Sequence, residues 1–204
     1  MIEILYRDEY LAVVVKPTGY ISEDGERSVP MLIREALNEP DAYVGTVHRL
    51  DKNVGGLMVY SLRSDVTGVL TEALSSFDCG KEYLACVRNV IPDNEGEMTD
   101  LLYHDKRTNK TFVVKKKRAG VKEAKLTYRV RRRDGDSSLV EIKLHTGRTH
   151  QIRVQFSSRG YPLIGDARYG GGKGEPMLYS YRLTFIHPKT KKTLCFERLP
   201  EWAE

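Results

Sequence analysis

The sequence HRLDKNVGGLMVY, residues 48–60, joins a loop of unusual composition to an apolar run that is typical of a strand. It sets one carboxylate, Asp51, between Arg49 and the glycine pair Gly55 and Gly56. A solvated loop needs no such arrangement, whereas a reactive carboxylate needs a fixed position and a nearby cation that keeps it ionised. The segment therefore predicts a strand over residues 57–61 that is preceded by a functional acid.

Strands dominate the rest of the chain. Residue composition and alternation of apolar with polar residues predict strands at residues 2–6, 11–15, 81–87, 124–130, 140–144, 178–187 and 193–198. Most neighbours in this series can pair as hairpins. The pattern predicts an α+β fold on a largely antiparallel sheet.

Three helices interrupt the strands. Ser28 is a predicted N-cap for a helix that reaches residue 38, and Ser64 for a helix whose apolar spacing continues to Phe77. A third helix is predicted after Gly147, with Thr149 as its cap. Gly160 is its predicted end.

Composition indicates one globular domain over residues 1–204. The chain is 40% hydrophobic, and no apolar run approaches the roughly 20 residues that cross a bilayer. Its cysteines, Cys79, Cys86 and Cys195, lack CxxC spacing, which argues for a reducing compartment and against structural zinc. We expect a cytoplasmic protein that is not associated with a membrane.

Positive charge is concentrated in residues 106–133, where Glu123 is the only acid. The basic residues are Lys106, Arg107, Lys110, Lys115, Lys116, Lys117, Arg118, Lys122, Lys125, Arg129, Arg131, Arg132 and Arg133. Such an excess would attract a polyanion. The alternative is a solvated basic hairpin without a dedicated ligand.

The stretch LHTGRTHQIRV, residues 144–154, is a candidate anion site. Arg148, His150 and Arg153 lie near the start of the predicted third helix, where backbone N–H groups favour a carboxylate or a phosphate. The alternative is a capped helix whose arginines pair with surface acids. His145 or His150 with Asp51 or Asp166 could ligate a metal, but the chain has no recognised metal-site spacing, and we predict no metal.

Six sequence motifs occur in a defined order along the chain. They are VVVKPTG (13–19), HRLD (48–51), KEYLACV (81–87), DKRTNK (105–110), TGRTHQIRV (146–154) and GYPLIGDARYG (160–170). Together they resemble the RNA pseudouridine synthases of the RluA family. The resemblance implies an enzyme without cofactor that isomerises uridine in RNA, on a mixed, mainly antiparallel sheet split by a central active-site cleft.

The resemblance also implies roles for single residues. Asp51 falls on the catalytic aspartate, Tyr83 on the tyrosine that stacks on the target base, and Arg153 on the cation paired with the aspartate. An apolar pocket floor would come from Leu163 or Ile164. From the basic run, the candidate anion site and the resemblance together, the residues predicted to bind RNA are His48, Arg49, Lys106, Arg107, Lys115, Lys116, Lys117, Arg148 and His150.

Some positions depart from the family pattern. Val54 and Gly55 stand where a small polar pair is usual, Ser22 and Glu23 where His-Pro is usual, and Asn89 where glycine is usual. Because few residues precede the first motif, we expect no accessory N-terminal RNA-binding module of the kind that many relatives carry. We expect a monomer that acts on tRNA or rRNA. The rival interpretations are a non-catalytic RNA-binding protein or chaperone on the same fold, and a metal-dependent hydrolase.

Overall fold

A computed structural model describes residues 2–76 and 79–203. Its strands are β1 (Glu3–Arg7), β2 (Leu11–Lys16), β3 (Gly45–Thr46), β4 (Gly55–Ser61), β5 (Gly80–Arg88), β6 (Glu95–Asp105), β7 (Lys110–Val114), β8 (Val121–Asp134), β9 (Ser137–Leu144), β10 (Leu178–Ile186) and β11 (Thr193–Glu197). Its α-helices are α1 (Val29–Leu37), α2 (Ser64–Ser75) and α3 (Gln151–Ser157). Two compact units result, one of Met1–Lys81 with Tyr179–Glu204 and the other of Glu82–Leu178.

In the first unit, which we call the Asp51 unit, the strands follow the order β1-β2-β4-β10-β11, with β3 paired to β4. All of these pairs are antiparallel except β4 with β10, which run parallel. Every residue of β4 is buried. One apolar cluster includes Leu57 and Val59 of β4, Leu70 of α2 and Phe185 of β10, so the strand after the Asp51 loop is anchored in the core.

In the second unit, the Arg153 unit, the strands follow the order β5-β9-β8-β6-β7, and all pairs are antiparallel. The first six residues of α3 are buried. Val154 of this helix belongs to an apolar cluster with Leu102, Ala124 and Tyr169. A register shift between Val130 and Arg132 marks a bulge where the basic end of β8 begins.

The predicted fold class, α+β on a mixed and mainly antiparallel sheet, is confirmed. The predicted strands also lie at the observed positions, with ends that differ by up to four residues. None of the helices in the described part of the chain is long and apolar enough to span a bilayer. The single-domain organisation stays a prediction.

Helix caps are where sequence and structure differ. The α1 prediction is confirmed, because Ser28 Oγ accepts a hydrogen bond from Met31 N and α1 ends at Leu37. Ser64 is wrong as a cap, since Arg63 holds that position. The predicted end of α2 at Phe77 lies outside the described residues.

The prediction for the start of α3 is also wrong. His150, not Thr149, is the N-cap, and it has a left-handed backbone with φ 54°. The Gln151 side chain fixes the loop that precedes the helix, because its Oε1 accepts hydrogen bonds from Arg148 N and from Thr146 Oγ1. The helix ends at Ser157, and Gly160 with φ 83° follows in the next turn.

Candidate active site

Asp51 is the first residue of a tight turn that leads into β4. Its carbonyl oxygen accepts a hydrogen bond from Val54 N at 3.0 Å. Aspartate is favoured at this position of a turn. Because the turn ends where the buried strand begins, the Asp51 backbone is fixed to the core, and the residue itself is half-buried.

A buried lysine donates hydrogen bonds to the same turn. Lys16, at the end of β2, is 0% exposed, and its Nζ donates to the carbonyl oxygens of Pro17 (3.1 Å), Lys52 (3.0 Å) and Val54 (2.8 Å). Gly19 N also donates to Lys52 O. One ammonium group therefore gathers three carbonyls around the Asp51 turn, as a buried charge requires hydrogen-bond partners.

Ser22 and Glu23, two of the positions that depart from the family pattern, both contact the HRLD loop. Ser22 is buried, and its Oγ donates to Leu50 O at 2.9 Å and accepts from Leu50 N at 3.0 Å. Glu23 forms an exposed ion pair with Arg49 at 3.1 Å. Ser22 and Glu23 therefore fix the residues immediately before Asp51.

His48 is not suited to the RNA-binding role implied for it as a cation. Its Nε2 accepts a hydrogen bond from Val59 N at 3.0 Å, which ties the loop to β4. Desolvation, together with the charge of Lys81, lowers the pKa of His48 to about 3. The imidazole is therefore neutral at physiological pH, and the implied phosphate contact is better assigned to other residues. Arg49, by contrast, is exposed.

The glycine pair after the turn allows β4 to pack closely against the neighbouring strand, β10. A Cβ on Gly56, which has φ 120°, would lie 2.4 Å from Ser180 O on β10. A Cβ on Gly55 would lie 3.2 Å from the Tyr179 ring. The parallel pairing of β4 with β10 thus requires small residues here, independently of any substrate.

In the Arg153 unit, Tyr83 is buried on β5, opposite Ile142 of β9. The candidate pocket residues lie beside the same strand, because Ile164 N donates to Cys86 O and Leu163 bridges Val87. Leu163 is 0% exposed, whereas Ile164 is partly exposed. Of the two, Ile164 is the one with side-chain surface available to a ligand.

Arg153 forms a buried two-pronged ion pair with Asp166. Its Nε lies 2.7 Å from Asp166 Oδ2 and its Nη2 lies 2.8 Å from Asp166 Oδ1. The Asp166 side chain is 1% exposed. The Tyr169 ring lies 5.1 Å from Arg153 Cζ, a cation–π distance. The guanidinium is therefore oriented on two sides by groups of the same unit.

His150 and Arg148 differ from the surface cations that the sequence suggests. His150 is buried, its Nδ1 lies 2.9 Å from Tyr169 Oη, and its ring meets those of Tyr169 and His104 edge-on. Arg148 is half-buried, and its Nε donates to Glu123 O. Burial argues against direct RNA contact by His150, and the role of Arg148 stays a prediction.

Part of the predicted basic surface is exposed, and its role in RNA binding stays a prediction. Lys106, Arg107, Lys115, Lys116 and Lys117 are all exposed. Several later cations of the run form ion pairs, as Arg129 pairs with Glu95, Arg131 with Glu141 and Arg132 with Asp134. The exposed cations before β8, in contrast, have no carboxylate partner among the described residues.

A metal site finds no support in the geometry. Across residues 2–76 and 79–203, no three His, Cys, Asp or Glu side chains are grouped closely enough to hold an ion. Asp166, one of the ligands considered from sequence, is paired with Arg153.

Three positions that matter here were not singled out from the sequence as site residues: Lys16, Ser22 and Tyr169. Lys16 and Tyr169 stand within the motifs VVVKPTG and GYPLIGDARYG, and Ser22 was noted only as a departure from the family. Asp166 was considered only as a metal ligand. Motif membership was the available signal, but only coordinates reveal which partners these side chains contact.

Comparison with known proteins agrees with this architecture. Residues 10–158 match the family described as RNA pseudouridylate synthase. The chain therefore belongs to the RNA pseudouridylate synthase family, as its motifs indicate.

Individual relatives point the same way. The chain is 31% identical over 205 residues to the ribosomal large subunit pseudouridine synthase C of Buchnera aphidicola, covering 94% of this chain and 64% of the relative. It is 35% identical over 178 residues to the ribosomal large subunit pseudouridine synthase D of Pseudomonas aeruginosa, covering 83% of this chain and 54% of the relative. The chain therefore spans less than two thirds of the length of either relative.

Solved structures share the fold. Human RNA pseudouridylate synthase domain containing 1 superposes with a TM-score of 0.82 at 22% identity, covering 98% of this chain and 84% of that one. Human RNA pseudouridylate synthase domain containing 4 gives 0.80 at 22% identity, covering 98% and 89%. At this identity the likeness concerns the fold alone.

Proposed function

We propose that this protein isomerises specific uridines of structured RNA to pseudouridine, with Asp51 as the catalytic carboxylate. The observation that carries the proposal is the HRLD loop within the family match, with Asp51 on a turn fixed to a buried strand and a buried lysine. A fixed carboxylate costs little reorganisation when charge develops during reaction.

The reaction requires that acid and a uracil base that is held in position. The bond from C1′ to N1 breaks, the uracil turns, and C1′ bonds to C5; the C5 proton is lost and N1 gains a proton. Asp51 attacks C1′ as a nucleophile or stabilises a cationic sugar. We assign Tyr83 to stacking on the base. We assign Arg153 to the role of a positively charged catalytic side chain. The target base must leave its stack to be reached.

Ribosomal RNA of the large subunit is the first substrate to test, because the relatives from Buchnera aphidicola and Pseudomonas aeruginosa are named ribosomal large subunit pseudouridine synthases. Transfer RNA is the alternative. We further propose a monomer in the cytoplasm without a cofactor. Three free cysteines fit a reducing compartment.

The decisive experiment is tritium release from transcripts made with 5-tritiated uridine, once with large-subunit rRNA and once with tRNA. Asp51→Asn preserves the size of the side chain and removes its charge. Its release rate should fall by about a hundredfold to a thousandfold, since loss of a preorganised charge or nucleophile is worth roughly 3–4 kcal/mol. RNA affinity should be unchanged.

Asp41→Asn is the matched control, because Asp41 is exposed on the same unit. It should leave release and binding unaltered. Near-parental release by a folded Asp51→Asn variant would remove Asp51 from the mechanism. RNA binding by the parent protein without release from either transcript would favour the non-catalytic interpretation.

A further inference from the structure

A shallow recess in the Arg153 unit lies beside β7. Its volume is about 360 Å³, and it is bordered by the end of α3 and the short 3-10 helix Ala167–Tyr169. This volume is at the lower end of small-molecule sites. Its lining residues that matter here are Lys110, Phe112, Val113, Ser157, Arg168 and Tyr169.

The recess has an aromatic wall. Phe112 stands on β7, the last strand of its sheet, and is 42% exposed, while its neighbour Val113 is 38% exposed. An exposed phenyl ring on an edge strand is a liability for a soluble protein. A ring in that position can instead serve as a platform on which an unpaired base stacks.

Two cations stand at the same recess. Lys110 Nζ lies 5.7 Å from the centre of the Phe112 ring and 5.6 Å from that of Tyr169. Arg168 Nη1 donates to the carbonyl oxygens of Thr108 and Asn109, which holds it against the hairpin turn.

Neither cation has an acidic partner within residues 2–76 and 79–203. No carboxylate of the described residues lies within ion-pair distance of Lys110 or Arg168. The one acid of the hairpin turn, Asp105, is occupied by Arg107 N and Thr108 Oγ1.

The surroundings supply the field that an anionic ligand needs. Lys106, Arg107, Lys115, Lys116 and Lys117 are exposed on the chain that flanks β7, and Arg118 lies over the Tyr103 ring at 4.8 Å. Tyr103 is the cross-strand partner of Phe112. Alternation of aromatic rings with unneutralised cations is typical of surfaces that follow a single strand of nucleic acid.

We propose that this recess binds one unpaired nucleotide of the RNA substrate, with its base on Phe112 and a phosphate between Lys110 and Arg168. The inference rests on RNA being the substrate, as proposed above. An unpaired nucleotide is the occupant because a duplex buries the faces of its bases, leaving nothing to stack on Phe112. The site selects single-stranded segments of the RNA and does not itself hold the target uridine.

The test is anisotropy of a labelled ten-nucleotide oligouridylate and of a labelled RNA duplex of equal charge. Phe112→Leu keeps an apolar side chain and removes the stacking face. It should weaken oligouridylate binding by about fivefold or more, as expected for one stacked base, and leave duplex binding unchanged. Tyr43→Leu, at a tyrosine that is 45% exposed in the Asp51 unit, is the matched control and should change neither.

The anion contact has its own measurement. Lys110→Gln should lower the slope of log affinity against log salt for oligouridylate by about 0.7, the value for one phosphate contact on a single strand. Oligouridylate with 5-iodouridine should photocrosslink to the peptide that contains Phe112. Inorganic phosphate at millimolar concentration should not compete fully.

Three outcomes would overturn the assignment: equal weakening of duplex and single strand by Phe112→Leu, unchanged oligouridylate binding, or complete competition by phosphate, which would indicate a simple anion site. These outcomes are separate from the fate of the proposed reaction. Tritium release and its dependence on Asp51 can fail while single-strand binding depends on Phe112, and the reverse can also occur.

Discussion

The two segments that carry the candidate catalytic charges are fixed in different ways. The Asp51 loop is held through its backbone, by the Lys16 ammonium and the Ser22 hydroxyl. Arg153 is held through its own charged group, by the buried carboxylate of Asp166. Removing the Asp51 charge should therefore leave the supports of its loop in place, whereas removing the Arg153 charge also removes the partner of a buried acid.

The largest effect that tests this difference is expected for Arg153→Met. Sequence alone predicts damage mainly to catalysis, but the structure adds a loss of stability. An uncompensated buried carboxylate at Asp166 should cost about 3–5 kcal/mol, the usual range for breaking a buried pair from one side. Denaturant unfolding measures that loss, and tritium release should fall by at least about a hundredfold, in the range seen when one electrostatic group is removed.

The controls for Arg153→Met separate chemistry from folding. In Arg153→Met/Asp166→Asn, the orphaned charge is gone, so stability should recover in part while release stays low. Arg159→Met breaks a pair with Asp100 at 2.8 Å that is more exposed and in which Asp100 also accepts from Gln155. It should cost clearly less stability. If the double variant regains both properties, Arg153 has no role in the reaction.

Lys16→Met tests the other side of the comparison, at an intermediate magnitude. The methionine keeps the apolar stem but removes the ammonium donor from three carbonyls, of which Lys52 O retains a second donor, Gly19 N. The expected cost is about 1–3 kcal/mol of unfolding free energy. Release should fall by about tenfold, because a loosened turn misplaces the carboxylate.

Lys52→Met is the neighbour control for that variant, since Lys52 contributes its carbonyl to the clamp while its side chain is exposed. It should behave like the parent in both assays. Equal effects at Lys52 and Lys16 would contradict a role for the buried ammonium.

Sequence reasoning succeeded where a signal is local. Period-two alternation located β8 and β9, and Ser28 with its helix was found from the cap and the apolar spacing. The glycine pair at the start of β4 likewise marks where the Asp51 loop joins the strand. These features are set by residues within a few positions of one another, so the sequence displays them directly.

The long-range partners could not be obtained in this way. Lys16 ends an apolar strand and has the sequence appearance of a surface lysine, but its amino group is satisfied by carbonyls 36 and 38 residues away. Arg153 and Asp166 are 13 residues apart, at no helical or strand period. The start of α3 was missed because the Gln151 side chain, rather than a Thr149 cap, fixes the loop.

The smallest effect is expected on the basic run, where neutralised and unneutralised charges can be compared directly. Lys115, Lys116 and Lys117 are exposed, and no carboxylate in the described part of the chain pairs with them. Their joint change to Gln should weaken binding to every RNA by a similar factor, because phosphate contacts carry no sequence information. The salt slope should fall by up to about 2, at roughly 0.7 for each phosphate that is no longer neutralised.

The matched triple is Arg129→Gln, Arg131→Gln and Arg132→Gln, at positions paired with Glu95, Glu141 and Asp134. Both triples remove three positive charges, so the net charge of the protein falls equally. The arginine triple, however, removes cations that are already paired with carboxylates. If affinity depends on net charge alone, both triples will change the slope equally. A larger change for the lysines, with tritium release at saturating RNA unaltered, would show that RNA contacts the unneutralised segment before β8, because only those cations can release counterions by meeting phosphate.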